Sequence, residues 1–327
     1  MVAPVGTADA PDRPVARPLH VLVALTTHRR ESLLPALVAE IRSQCAATVH
    51  HVRILVVDND PGCSAESTSR NLAAGYLSVT TPGIAAARQG ALDAAGDHEM
   101  MVMVDDDVMP EPGWFTELLS VWQDTHAAVV MGHVRYSWPT SCDPWLVDTG
   151  YMRRTPHPRG SHLKALATSN VLIDVAQVRS LGVRFEVSLG LHGGEDTLFG
   201  RDLLARGGHI VAAPDSVVRD EIPPDRATLE FARRRTLTQG QTRSQILVST
   251  PSHLPRPLRS LHQLAGGMVR LAVFSLGAAM VPQRVDRRRN AVLTRRTWFA
   301  RGRILGALGR STPLYSRTST PPTPSDR

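Results

Sequence analysis

Apolar positions along this chain follow two rhythms. Short continuous runs with β-branched members read as buried strands, and they fall at 21–25, 52–57, 100–104, 128–136, 169–173 and 209–213. Between them, apolar residues recur every three or four positions. Residues 33, 34, 37, 38 and 41 set a helix over 31–43, and similar spacing predicts helices at 64–74, 82–95, 112–122, 175–181, 195–206 and 224–248. Strands alternating with helices predict parallel pairing with crossover helices, hence an α/β fold. Residues 137–160 hold four prolines and two tryptophans without a period, which predicts a long loop and a lid.

Two of the strands stop in acids: Asp58-Asn59-Asp60 after the second, and Asp105-Asp106-Asp107 after MMVMV. Carboxylates cannot share an apolar core, so the chain leaves the sheet there. That places them at the C-terminal strand edge where open α/β sheets bind ligands. Three adjacent negative charges call for a counter-ion, and hard oxygen donors suit Mg²⁺ or Mn²⁺ with phosphate oxygens completing the shell. A solvated acidic turn is the plainer alternative. A further acidic pair, Glu195-Asp196, follows Gly193-Gly194 at a predicted helix start, where the helix dipole alone accounts for it.

Composition sets the compartment and divides the chain. The 327 residues include three cysteines, Cys45, Cys63 and Cys142, at spacings that suggest neither a zinc site nor a disulfide framework. With no apolar signal-peptide run near the N-terminus, the expectation is a cytoplasmic protein. Residues 251–327 hold 14 arginines against 2 acids, whereas residues 1–250 hold 23 basic residues against 28 acids. An acidic body thus carries a basic tail. The organisation expected is a disordered leader at 1–18, a catalytic domain at 19–250, a helical basic extension at 251–310 and a disordered tail at 311–327. In the extension the uninterrupted apolar run 271–283 is too short to span a bilayer. Arg289, Arg296, Arg303 and Arg310 recur every seven residues and make a basic stripe suited to an anionic membrane surface. Packing against the domain is the alternative. No zinc motif or aromatic-rich strand accompanies the tail, so nucleic acid is not the expected partner.

Taken in order, VLVALTTHRR, RILVVDND, GIAAARQGAL before MVMVDDDVMP, and SNVLID with GGEDTLFGRDLLARG resemble the family 2 glycosyltransferases of the GT-A fold over roughly residues 20–245. The resemblance implies a mostly parallel sheet flanked by helices and transfer from a nucleotide-sugar to a hydroxyl acceptor, whether glycan, lipid-linked or small molecule. It also implies roles. Asp58 would bind the base, with Thr26 and Arg29 lining the same pocket, and Arg88 would serve on the nucleotide-binding helix. Asp105 and Asp106 would face the ribose and base. Asp107, with Asp105, would hold the divalent cation. Asp196 would be the catalytic base for an inverting single displacement, and Glu195 would help place the acceptor.

Two positions depart from the family pattern. A histidine often found after the last core strand is replaced by Val218-Arg219-Asp220-Glu221, leaving Asp220, Glu221 or neither as a further metal ligand, or Arg219 as a direct diphosphate partner. Gln89 stands where asparagine is usual. Two rival readings keep the fold: a sugar-nucleotide nucleotidyltransferase, against which TTHRR has no glycine for a phosphate loop, and a non-catalytic nucleotide-sugar binder.

Overall fold

The computed structural model describes residues 17–249 and 255–312. The expected leader and tail, apart from two residues of each, lie outside them, as does the boundary placed at 250.

The strands are β1 (His20–Thr27), β2 (His51–Asp58), β3 (Gly75–Ser78), β4 (Met100–Asp105), β5 (Val108–Pro110), β6 (Val129–Ser137), β7 (Asn170–Asp174) and β8 (Ile210–Glu221), six of them grown from the apolar runs, with the short β3 and β5 outside those runs. They form one eight-stranded sheet in the order β3-β2-β1-β4-β7-β6-β8-β5. β3, β2, β1 and β4 are parallel, β7 runs antiparallel to β4 and β6, β8 is parallel to β6, and β5 closes the edge antiparallel to β8. The sheet is therefore mixed, with its parallel half carrying both acidic tips. β8 runs eight residues past its expected end at Ala213, because Pro214-Asp215-Ser216 interrupts the apolar run at a register shift against β6 and the pairing resumes at Val217.

The helices are α1 (Leu34–Ala46), α2 (Glu66–Asn71), α3 (Ile84–Ala94), α4 (Trp114–Thr125), α5 (Pro144–Asp148), α6 (Val175–Ser180), α7 (Glu195–Ala205), α8 (Leu229–Ser249), α9 (Arg256–Met280) and α10 (Arg287–Ala307). α1 and α4 cover one sheet face, where Leu37, Ile41, Phe115 and Leu118 pack on Val23, Leu25 and Val104. α3, α6 and α7 cover the other, where Ala91, Val178 and Phe199 pack with Leu22, Ala24 and Met101. Strand residues buried on both faces explain the continuous apolar runs, since alternate side chains feed opposite cores. Each large side chain so buried contributes roughly 1.5–3 kcal/mol, which is what holds the strand tips still.

A third core corrects the lid expectation for 137–160. This segment carries α5 and buries Trp145, Leu146, Tyr151 and Met152 against Ile222, Phe231, Ala291 and Trp298. It is a packed bracket between the sheet and the C-terminal helices. α10 crosses α8 so closely that a Cβ on Gly302 would lie 2.1 Å from the Leu237 carbonyl oxygen. α10 is sandwiched between α8 and α9, and of the expected stripe Arg289, Arg296 and Arg310 are exposed while Arg303 is partly buried. Arg303 donates to Gln263 of α9, Arg295 donates to the Gly150 carbonyl at 3.3 Å, and Arg296 lies 5.5 Å over the Phe274 ring, while Arg289 is exposed.

Candidate active site

Strand register assembles the site. Thr26 pairs with Asp105 across β1 and β4, and Thr27 with Asp58 across β1 and β2, so both acidic tips lie on one sheet edge.

At the β4 tip, buried Asp106 accepts from Thr27 Oγ1 at 2.7 Å and from Arg30 Nη1 at 3.0 Å. The same guanidinium nitrogen donates to Asp107 Oδ2 at 2.8 Å, and Arg226 Nη1 reaches that oxygen at 3.2 Å. Burial pushes the Asp106 carboxyl up to about 6 against the pull of Arg30, with Asp107 adding to the rise. Burial opposes the Arg30 charge, yet Asp106 and Asp107 hold its pKa above the ordinary value. Thr27, Arg30 and Arg226 were not among the expected site residues. The first two were within reach of the sequence, since period-2 counting puts Thr27 on the face of Val23 and Leu25 and TTHRR offers the arginine. Arg226 lies 119 residues from its partner and carried no local signal.

Asp105 is differently committed. Its Oδ1 accepts from Arg88 Nη2 at 2.9 Å, and Arg88 Nη1 pairs with Glu195 at the start of α7. Arg88 and Glu195 are buried, so this chain of charges is a strut that fixes α7 to the tip of β4. Burial works against the Arg88 charge but Asp105 and Glu195 raise its pKa, and burial raises Glu195 despite Arg88, helped by Asp196. Breaking such a pair leaves an uncompensated buried charge, at a cost of roughly 3–5 kcal/mol. The structure thus uses Arg88 and Glu195 to frame the site, and Asp105 has one oxygen engaged by that frame.

Asp196 follows in the same helical turn, half-buried, with Oδ1 accepting from the Thr197 N–H at 2.6 Å. The turn before it needs glycine: Gly194 has φ 93°, and a Cβ there would meet Thr242 of α8 at 2.2 Å.

Alternation along β8 separates the three candidates at its end. Arg219 and Glu221 face outward and approach each other at 3.7 Å. Asp220 faces inward, 9% exposed, opposite Val108 next to Asp107 in the chain. Its Oδ1 is buried without a hydrogen-bond partner, and burial together with the Asp107 charge pushes its carboxyl up to about 6. Arg226 enters on the loop after β8, where its carbonyl accepts from the Tyr151 hydroxyl of the 137–160 bracket.

The β2 tip is held by its own turn. Asp58 is fully buried, and its oxygens accept from the Asp60 N–H at 2.9 Å, the Ala65 N–H at 2.8 Å and the Tyr76 hydroxyl at 3.2 Å. These bonds organise the turn that follows β2. Arg29, half-exposed, is held at 3.1 Å by Asp60, whose pKa is kept low by the Gly62 N–H and Arg29 although burial opposes this. Thr26 is buried on the face opposite Thr27. Gln89 accepts from the Phe185 N–H at 2.8 Å and donates to Asp93, a span from α3 that gives its extra methylene a use.

Among the described residues no three His, Cys, Asp or Glu side chains converge as a ready metal cage. Asp107, in the turn before β5, and the unpaired Asp220 oxygen, on β8 opposite Val108, are nevertheless hard donors, and they fit a divalent cation that takes the rest of its shell from a diphosphate and water.

A model described as glycosyl transferase family 2 matches residues 22–176. The succinoglycan biosynthesis protein ExoM of Rhizobium meliloti (strain 1021) is 31% identical over 243 residues, covering 70% of this chain and 75% of that protein. Among solved structures, the mannosyltransferase PcManGT from Pyrobaculum calidifontis, in complex with GDP-Man and Mn²⁺, aligns with a TM-score of 0.63 at 18% identity over 93% of this chain and 91% of that one, a shared fold.

Proposed function

The chain belongs to glycosyltransferase family 2, and from that premise we propose that it transfers a sugar from a nucleotide-diphosphate donor to a hydroxyl by one inverting displacement. Membership makes it a glycosyltransferase and sets aside nucleotidyl transfer and mere binding. The observation that supports the finer reading is the Asp105–Arg88–Glu195 strut, which ties the start of α7, where Asp196 follows Glu195, to the tip of β4, where Asp107 follows Asp105.

The leaving group is a diphosphate, and Arg30 and Arg226 stand ready to exchange Asp107 for its oxygens. Thr26 and Arg29 line the nucleoside end, and Asp106 keeps Arg30 aligned through its second carboxylate contact. Asp196 accepts the proton of the acceptor hydroxyl as that oxygen bonds to the anomeric carbon. The electron pair of the breaking bond leaves with the nucleoside diphosphate. A divalent cation, Mn²⁺ or Mg²⁺, held by Asp107 and Asp220 would supply Lewis-acid neutralisation of the diphosphate. The complex of PcManGT with GDP-Man and Mn²⁺ supports both donor type and cation.

The ExoM name, a biosynthesis protein of succinoglycan, supports a glycan hydroxyl as acceptor, free or lipid-linked. We place the enzyme in the cytoplasm with its basic extension at the inner face of the plasma membrane. A panel of nucleotide-sugars with Mn²⁺ or Mg²⁺ identifies the donor by hydrolysis. With that donor, Asp196→Asn is expected to bind normally by calorimetry and to transfer about 10²–10⁴-fold more slowly. Near-normal transfer would remove Asp196 from the role, and retained anomeric configuration in the product, read by NMR, would exclude the single displacement.

A further inference from the structure

The outward face of α9 is apolar along its whole length. Seven of the thirteen exposed large hydrophobic residues among those described are on this one helix: Leu258, Leu261, Met268, Val269, Val273, Leu276 and Met280, each at least 51% exposed. At 100° per residue they fall within an arc of about 140°, with Ala265, Ala272 and Ala279 filling the gaps. His262 is the polar exception. Such a contiguous patch is larger than a folded surface ordinarily leaves in water.

α9 is long and apolar enough to cross a bilayer by length and composition. Its other face, however, is committed to protein. Gly267 packs so close to Ile304 that a Cβ would sit 2.8 Å from Cγ1, Gln263 accepts from Arg303, and Asn290 of α10 donates to the Ala278 and Val281 carbonyls near the C-terminal end of α9. A helix packed on one side can offer lipid only the other.

We infer that α9 lies in the plane of an anionic bilayer surface with its apolar arc among the acyl chains and the surrounding arginines at the headgroups. Charge decides between lipid and a second copy of the chain. Residues 255–312 hold 12 arginines and one acid, Asp286, and Arg256, Arg288, Arg289 and Arg296 are exposed. Two such faces brought together repel, whereas phosphatidylglycerol headgroups neutralise them. The inference rests on the membrane-surface placement proposed above and moves the contact from the arginines of α10 to the apolar face of α9. It does not depend on the chemistry at Asp107.

Full-length protein is mixed with phosphatidylglycerol–phosphatidylcholine vesicles and sedimented at low and high salt. Wild type is expected to pellet, retaining part of its binding at high salt. Val269→Glu/Leu276→Glu should lower the partition coefficient at least about tenfold at both salts. Arg288→Gln/Arg289→Gln should lower it chiefly at low salt, where Coulomb attraction is unscreened. Met268→Ser/Val273→Ser supplies a milder second variant, and circular dichroism melting checks that each is folded. Donor hydrolysis should be unchanged throughout, so a failed hydrolysis assay and a failed vesicle assay point to different proposals. Wild-type partitioning by both apolar-face variants overturns the inference. So does a dimer in sedimentation velocity that the glutamates dissociate while wild type ignores vesicles.

Discussion

The tips of β2 and β4 are written alike in sequence, an apolar run that ends in acids, and they lie on one edge on either side of β1. Their carboxylates are spent differently. Asp58 accepts from backbone N–H groups of its own turn, which are fixed by the fold, and from the Tyr76 hydroxyl of β3. Asp107 is balanced by Arg30 and Arg226, long side chains from two other segments that can swap one anion for another. Backbone partners make an acid part of the architecture, and arginine partners make it exchangeable with a ligand.

That contrast is most exposed to failure in a pair of variants. Asp107→Asn should lower transfer by about 10²–10³-fold, the scale of one lost electrostatic contact to a developing charge, while changing stability by less than about 1 kcal/mol because its ion pairs are partly solvated. Asp58→Ala should do the reverse. It orphans two buried N–H groups at a cost of roughly 1–3 kcal/mol, and at a temperature where the variant is folded its turnover should stay near wild type. Denaturant melts and initial rates on the two proteins check this, and a large rate loss in folded Asp58→Ala would return that residue to the nucleotide site.

How far the sequence carried follows the same division. β1, β2 and β4 of the parallel half, the helices that cross between them and the acidic edge were legible because strand burial and helical spacing are local patterns, whereas the four half-buried residues of β3 carry no apolar run. The strut from Asp105 through Arg88 to Glu195 was not, since it joins residues up to 107 apart and each member has a sufficient local reading. Asp220 stayed one of several candidates until the continuation of β8 past Pro214 fixed which side chains face in. The C-terminal layer was legible in part: the seven-residue period leaves Arg289, Arg296 and Arg310 exposed, while the packing of α10 on two sides draws Arg303 to Gln263. Neighbouring α9, which looked too short as an apolar run, is a 25-residue helix that runs through Arg270, whose guanidinium donates to the Gly266 carbonyl.

A smaller effect sharpens the claim of exchange. If Arg226 moves from Asp107 to the diphosphate, Arg226→Ala removes a charge-assisted hydrogen bond made to bound donor and transition state alike. The expected signature is a donor KM raised about tenfold with kcat within a few-fold of wild type. Arg226→Lys should recover part of the affinity, keeping the charge and losing the planar fork. A kcat loss with unchanged KM would mean that Arg226 acts only in the transition state, and no change in either would leave it a structural partner of Asp107.

The least effect on turnover, and the one that tests why an unpaired acid persists, concerns Asp220. Its folded pKa of about 6 lies above the roughly 3.9 of an unfolded aspartate. Between about pH 4 and 6 the folded state therefore holds a proton that the unfolded state has lost, and stability must fall as pH rises through that window. The contribution is present below the unfolded value and gone above the folded one, on the order of 2–3 kcal/mol for this group in full. Asp106, also pushed to about 6, adds a slope of the same sign. Asp220→Asn cannot ionise, so in chelator its stability should vary less between pH 4 and 7 and should exceed wild type at pH 7.5. Mn²⁺ with a nucleoside diphosphate should then stabilise wild type and release a proton near pH 6, measurable by calorimetry in buffers of different ionisation enthalpy, and should do neither to the same extent in the variant. An unaltered pH slope in Asp220→Asn would show that the group does not titrate near 6. Equal ion-dependent stabilisation and proton release in both proteins would remove Asp220 from the cation site and leave Asp107 as its protein ligand.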